Sequence, residues 1–163
     1  MSRRVVITGL GVIAPNANGV PEYEQALREG RSGIRHIPIM EEKAFGCQVA
    51  GVPQGVDELV QTHFDEDEVM VMNLSHCYAS LAALEAWLDA GLPRPGRDDD
   101  EVHWDTGAVL GTGIGGMDTI GSRLVPMVDA KRVRRLGSAC VEQVMASGIS
   151  ARVSGQLSLG NMV

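Results

Sequence analysis

Aromatic side chains are scarce: the 163 residues hold two phenylalanines, two tyrosines and two tryptophans. A core built from this chain has to be aliphatic, and its 20 glycines allow many close backbone approaches. No apolar run comes near the ~20 residues that a membrane span requires. Met1-Ser2-Arg3-Arg4 leads straight into a strand-like run that carries on past Gly9 to Pro15 without a small-residue cleavage site, which argues against a signal peptide. Cysteine is too scattered, at Cys47, Cys77 and Cys140, for a disulfide set or a metal site, so a reducing cytoplasm is the expected location. An excess of positive charge is missing as well. Fourteen basic residues face 21 acidic ones, a net charge of −7, and general nucleic-acid binding is not expected.

What is present is ordinary globular composition, 44% apolar and 21% charged, in a length that suits one domain or one large piece of a bigger one. Val5-Val6-Ile7-Thr8-Gly9-Leu10 is β-branched and apolar throughout, as in a strand covered on both faces. A helix is predicted from about Pro21 to Glu29, stopped by Gly30. Cys47–Val52 reads as a short strand and Val56–Thr62 as a short helix. Met70, Leu74, Cys77, Tyr78, Leu81, Leu84 and Leu88 recur at three- and four-residue spacing and predict one long helix from about Asp67 to Ala90. Four acidic residues, Asp65–Glu68, stand at its positive end, and Asp98-Asp99-Asp100-Glu101 reads as a solvated loop. A second strand, Thr106–Leu110, is followed by a glycine turn and a short helix from Met117 to Leu124 ended by Pro126. A last helix is expected from Cys140 to Val153 with Ser138 as its cap. Asn161-Met162-Val163 resembles the first step of a strand. Alternating strands and helices predict an α/β fold.

Complete catalytic constellations are missing from this pattern. His36, His63, His76 and His103 form no pair at ligand spacing, and neighbouring His76 and Cys77 point apart on a helix. There is no Gly-x-Ser-x-Gly elbow and no Ser-x-x-Lys motif. Gly111-x-Gly113-x-x-Gly116, with Asp129 as a ribose partner, has the literal form of a dinucleotide fingerprint. Pro126 interrupts the run that would have to be the next central strand, so a turn that brings backbone close to a ligand or a helix is the better reading. Lys131-Arg132-Val133-Arg134-Arg135 is the one dense basic cluster.

Four segments, in order, resemble the β-ketoacyl-acyl-carrier-protein synthases of the type I/II group. They are Arg3–Pro15, Leu27–Ile34, Gly111-Thr112-Gly113-Ile114-Gly115-Gly116 and Met145-Ala146-Ser147-Gly148-Ile149-Ser150-Ala151. The resemblance implies a thiolase-like fold, of which residues 1–163 would be the amino-terminal half: a mixed five-stranded sheet with covering helices. It also implies that the chain stops just before the nucleophile segment, with the cysteine, two histidines and a lysine all beyond Val163. Cys140 is no substitute, since it precedes the Met-Ala-Ser-Gly segment.

The implied chemistry is decarboxylative condensation of acyl and malonyl thioesters on acyl carrier protein, with no metal or redox cofactor. The implied partners are the carrier protein, the carboxy-terminal half of the enzyme and a second copy in a homodimer. By the same resemblance, Gly113 and Ile114 match the gate of the acyl pocket. Met145 matches a residue reaching toward the partner subunit's pocket, and plain core packing is the other reading of both side chains. Lys131, Arg132, Arg134 and Arg135 lie near a docking segment for the acidic carrier protein, a solvated loop being the alternative. Asp65–Glu68 depart from the family, because many members place basic residues there and four like charges repel an acidic partner. That departure keeps open a chain-length-factor-like, non-catalytic subunit. A free-standing nucleotide-binding domain is the third reading.

Overall fold

The computed structural model describes residues 3–96 and 101–163. The predicted acidic loop therefore lies outside the described residues at Asp98, Asp99 and Asp100, while Glu101 is exposed.

Two short antiparallel pairs begin the regular structure. Strand β1 (Ile13–Ala14) pairs with β2 (Ala17–Asn18), and β3 (Ile34–His36) with β4 (Val49–Gly51). Between them runs α1 (Val20–Arg28), with Pro21 in its first turn and Gly30 in the left-handed region, φ +64°, just past its end. The β3–β4 loop holds the short α2 (Pro38–Glu42). Helix α3 (Val56–His63) then precedes a predicted helix that proves to be two.

Helix α4 (Glu66–Met70) and α5 (Leu74–Asp89) are separated at residues 71–73. The apolar spacing runs through this break, but both starts are capped. Asp65 accepts from the Glu68 amide at 2.9 Å, and Asn73 accepts from the His76 amide at 2.9 Å. The acidic run thus belongs to α4, and Met70, expected in the apolar stripe, is exposed. Along α5, Cys77, Leu81, Leu84 and Trp87 are buried, whereas Leu74 and Leu88 are exposed.

The second half of the chain is helical in short pieces: α6 (Met117–Thr119), a π turn (Ile120–Leu124), α7 (Val125–Asp129), a 3-10 turn (Val133–Arg135), α8 (Ala139–Val144) and α9 (Ser147–Gln156). Pro126 does not end the run after Met117; it lies within continuous helical backbone, directly after the π turn. The expected last helix is likewise split, because Met145 takes an extended conformation, ψ 131°, between α8 and α9. Ser138 stands at the start of α8 without a capping hydrogen bond from its side chain.

The five-stranded sheet expected from the resemblance is not formed among the described residues, which hold only the two two-stranded pairs and one isolated parallel bridge, His103 to Leu159. Val5–Leu10 joins no ladder, and Val5 is 91% exposed. Thr106–Leu110 is no assigned strand either, though Ala108 donates to the Met162 carbonyl at 3.0 Å and Asn161 to Thr106 at 3.1 Å. A strand is a pairing, not a propensity, and these apolar segments lack partners on their outer sides.

The core lies between α3, α5, α9 and the segment at Ala108, around Val60, Leu81, Leu84, Trp87, Val153 and Leu157. Against α5 the opening segment packs as bare backbone. A Cβ on Gly11 would fall on the Ala82 carbonyl oxygen and 2.8 Å from the Ala86 nitrogen; one on Gly9 would lie 2.7 Å from the Ala90 nitrogen. Two carboxylates of α5 hold this segment: Glu85 accepts from the amides of Val12 (2.8 Å) and Val20 (2.7 Å), and Asp89 from Leu10 (2.9 Å). Among the described residues no helix is long and apolar enough to cross a membrane.

Replacing Gly11 by Ala is expected to destabilise the fold by about 1–3 kcal/mol or more through overpacking. Gly155→Ala, an exposed site in α9 with open space at its Cβ, is expected to be neutral or stabilising by up to ~1 kcal/mol. Denaturant unfolding of both variants checks this contrast.

Candidate functional site

The glycine turn after residue 110 lands on the junction between α8 and α9. A Cβ on Gly115 would lie 2.7 Å from the Val144 carbonyl oxygen and 2.9 Å from the Ala146 nitrogen. Gly116 is left-handed, φ +56°, and its Cβ would lie 2.5 Å from the Val144 Cα. Only glycine fits both positions, so backbone meets backbone there. Ile114 is the residue before this pair, and Met145 stands between Val144 and Ala146 at the junction. Both side chains are outside the core: Ile114 is 62% and Met145 51% exposed. Gly113 has open space where a Cβ would stand.

This junction is not a dinucleotide turn. Two of the glycines are used against α8 instead of lying open to a phosphate.

Beneath the turn lies a buried polar cluster that the sequence did not reveal. Gln143 of α8 is 6% exposed. Its Nε2 donates to the carbonyls of Met70 and Met72, at 3.1 Å each, and its backbone carbonyl accepts from Asn73 Nδ2 at 2.5 Å. Arg123 of the π turn donates through Nη1 to Gln143 Oε1 (3.4 Å) and through Nη2 to the Leu136 carbonyl (2.7 Å). Asp118 accepts from the Leu74 amide at 2.9 Å. One weak signal was legible, an Asn three residues before a His at the start of an apolar helix, which is a capping arrangement.

His76 is 0% exposed. Its Nδ1 lies 2.6 Å from Asn73 Oδ1 and 3.5 Å from the Asn73 amide nitrogen. Nε2 has no hydrogen-bond partner and faces Gly148, whose Cβ would lie 2.9 Å away. Burial pushes the imidazole pKa below its usual 6.5, and the Arg152 guanidinium adds to the effect, opposed by Glu142 and Asp118. The ring is a packing group under α9, not an exposed acid or base. Burial also pushes the Cys77 thiol up to about 11, helped by Asp57 and Asp118, so it stays protonated and inert at neutral pH. Cys140 is buried and Cys47 exposed.

Lys131, Arg132, Arg134 and Arg135 are all exposed on the turn after α7 and the 3-10 turn that follows, and none is in an ion pair among the described residues. Arg123 ties this basic loop, at Leu136, to Gln143. A separate apolar cleft of about 430 Å³ lies between the opening segment, α3 and α5, lined by Leu10, Ile13, Leu59, Leu81, Leu84 and Leu88. Its carboxylates, Glu85 and Asp89, are taken up by the backbone amides described above.

Residues 2–161 match the family profile described as the amino-terminal domain of β-ketoacyl synthases. The chain is 35% identical over 154 residues to 3-oxoacyl-[acyl-carrier-protein] synthase 1 of Haemophilus influenzae, an alignment covering 91% of this chain and 35% of that protein. Among solved structures it is similar to a β-ketoacyl synthase from Burkholderia phymatum, with a TM-score of 0.78 at 24% identity over 99% of this chain and 39% of the other. It is also similar to the ishigamide ketosynthase/chain length factor, with a TM-score of 0.69 at 29% identity over 98% of this chain and 38% of that one. The chain spans about a third of the length of such relatives.

Because His76 is held neutral, its contribution to stability is present above pH 6.5 and is lost as the pH falls below 6.5 toward its lowered folded value. The expected slope there is at most about 1.4 kcal/mol per pH unit for this one proton. Unfolding titrations at pH 7 and pH 5 should show the loss, and His76→Gln should remove that part of it.

Proposed function

The chain belongs to the β-ketoacyl synthase family through its amino-terminal domain, and on that premise we propose that it forms one wall of the acyl pocket in a 3-oxoacyl-[acyl-carrier-protein] synthase. The observation that carries the reading is the close backbone approach of Gly115 and Gly116, next to Ile114, to the residues on either side of Met145, with both apolar side chains exposed. Exposed apolar groups on rigid backbone suit an aliphatic ligand better than water.

In the proposed reaction the nucleophile is a cysteine beyond residue 163. As a thiolate it attacks the acyl thioester, and the pantetheine thiol of the carrier protein departs. Malonyl thioester then loses carbon dioxide. The electron pair left by that broken bond forms an enolate, which two histidines stabilise. The enolate carbon attacks the enzyme-bound acyl carbon, a carbon–carbon bond forms, and the cysteine sulfur leaves. Gly113, Ile114 and Met145 supply walls to this chemistry and no reactive atom. Lys131, Arg132, Arg134 and Arg135 offer a positive face to the acidic carrier protein, offsetting Asp65–Glu68.

The uncovered apolar segments support the rest of the assignment. Val5–Ile7, Val109 and Leu110 are exposed, as are Met162 and Val163. A carboxy-terminal half of the same enzyme, with a second copy in a cytoplasmic homodimer, is the proposed cover.

A second reading, a non-catalytic chain-length-factor-like subunit, is favoured by the similarity to the ishigamide pair. Both readings use the same walls; the residue at the nucleophile position decides between them.

The test uses the intact protein with acyl- and malonyl-carrier protein. Decarboxylation-dependent elongation is expected. Ile114→Phe should lower kcat/KM for the longest acyl groups at least ~10-fold more than for the shortest, since each excluded methylene costs about 1–3 kcal/mol. A chain-length profile identical to wild type would remove Ile114 from the pocket.

A further inference from the structure

We infer that Gln143 is a positioning residue for the acyl-pocket wall, setting where Met145 and Ile114 stand; the inference rests on the reading just given. Four polar contacts converge on this one residue. The Nε2 group donates to the carbonyls of Met70 and Met72, which lie where α4 ends and the chain has not yet entered α5. Such carbonyls have no partner inside either helix, so the amide supplies what the break leaves unpaired. The side-chain oxygen accepts from Arg123, and the backbone carbonyl accepts from Asn73 Nδ2.

That backbone carbonyl is also the nearest atom to the place where a Gly116 Cβ would stand. Three segments therefore close on one buried amide: the α4–α5 break, the glycine turn after Ile114, and α8 two residues before Met145. Met145 is extended rather than helical, and neither it nor Ile114 is buried by packing of its own. Their places are set by the backbone beneath them, and Gln143 holds that backbone to α5. A polar group that is fully satisfied in a buried site fixes one geometry where an apolar contact would tolerate several. Through Arg123 and the Leu136 carbonyl, the same hub reaches the loop that carries the basic cluster.

The inference predicts a defect graded by acyl length. In the intact enzyme, Gln143→Leu keeps the bulk and removes the amide. KM should rise with each added acyl carbon pair, reaching at least about 10-fold above the effect on the shortest acyl group, with kcat changed less. Gln143→Asn keeps the amide on a shorter stem and should restore part of the long-chain KM. Asn73→Ser retains a helix cap but loses the donor to the Gln143 carbonyl, so it should shift the profile in the same direction by a smaller factor.

A uniform loss across all acyl lengths in Gln143→Leu would mark Gln143 as merely structural and overturn the inference. If Gln143→Leu does not fold, Asn73→Ser decides: an unchanged profile overturns the inference and a graded one supports it. An intact protein that elongates acyl groups, responds to Ile114→Phe and yet ignores both Gln143→Leu and Asn73→Ser would defeat this inference alone. One that elongates nothing, or is indifferent to Ile114→Phe, would defeat the pocket reading and this inference together.

Discussion

The rest of the chain is arranged around one contact: the bare backbone of the opening segment resting on α5. Gly9 and Gly11 lie against Ala82, Ala86 and Ala90, with Glu85 and Asp89 of the same helix gripping the amides of Leu10, Val12 and Val20. Glycine facing alanine lets the chain approach the helix closely. It also explains how a chain with six aromatic residues builds a core, because close approach replaces bulk. Gly148 repeats the device at the other end of α5, where it leaves room for the His76 ring.

Much of this was legible from residue chemistry. Pro21 and Gly30 marked the ends of α1, and the segment Val56–Thr62 read as a short helix is α3, Val56–His63. The glycine turn was read as a place for close approach, and it is one. Two helices were read as continuous and are broken, at residues 71–73 and at Met145. Apolar spacing runs across both breaks, whereas the hydrogen bonds that stabilise the first come from Gln143, some seventy residues away. The strands read at Val5–Leu10 and Thr106–Leu110 failed for a related reason, whereas β4 formed within Cys47–Val52. Val5–Leu10 has the composition of a buried strand, but pairing is settled by segments that single-sequence patterns do not bring together.

The candidate site divides the same way. Ile114 and Met145 were singled out by resemblance; in the structure Gly115 and Gly116, next to Ile114, make close backbone contact with Val144 and Ala146, which flank Met145. Gln143 and Arg123 carry no motif and Asn73 only a helix-capping arrangement, and their convergence in space is what brings them together. The cysteines and His76, which attract attention in a sequence, are packing or surface groups here. The proposed acyl-pocket wall uses apolar groups such as Ile114 and Met145 and no reactive atom.

Photolabelling tests that wall most directly. The intact protein would be acylated with a fatty-acyl group carrying a diazirine at its far end, irradiated and digested. The account predicts label in the peptides that contain Ile114 and Met145. Label confined to the cleft between α3 and α5, or to peptides containing neither residue, would contradict it.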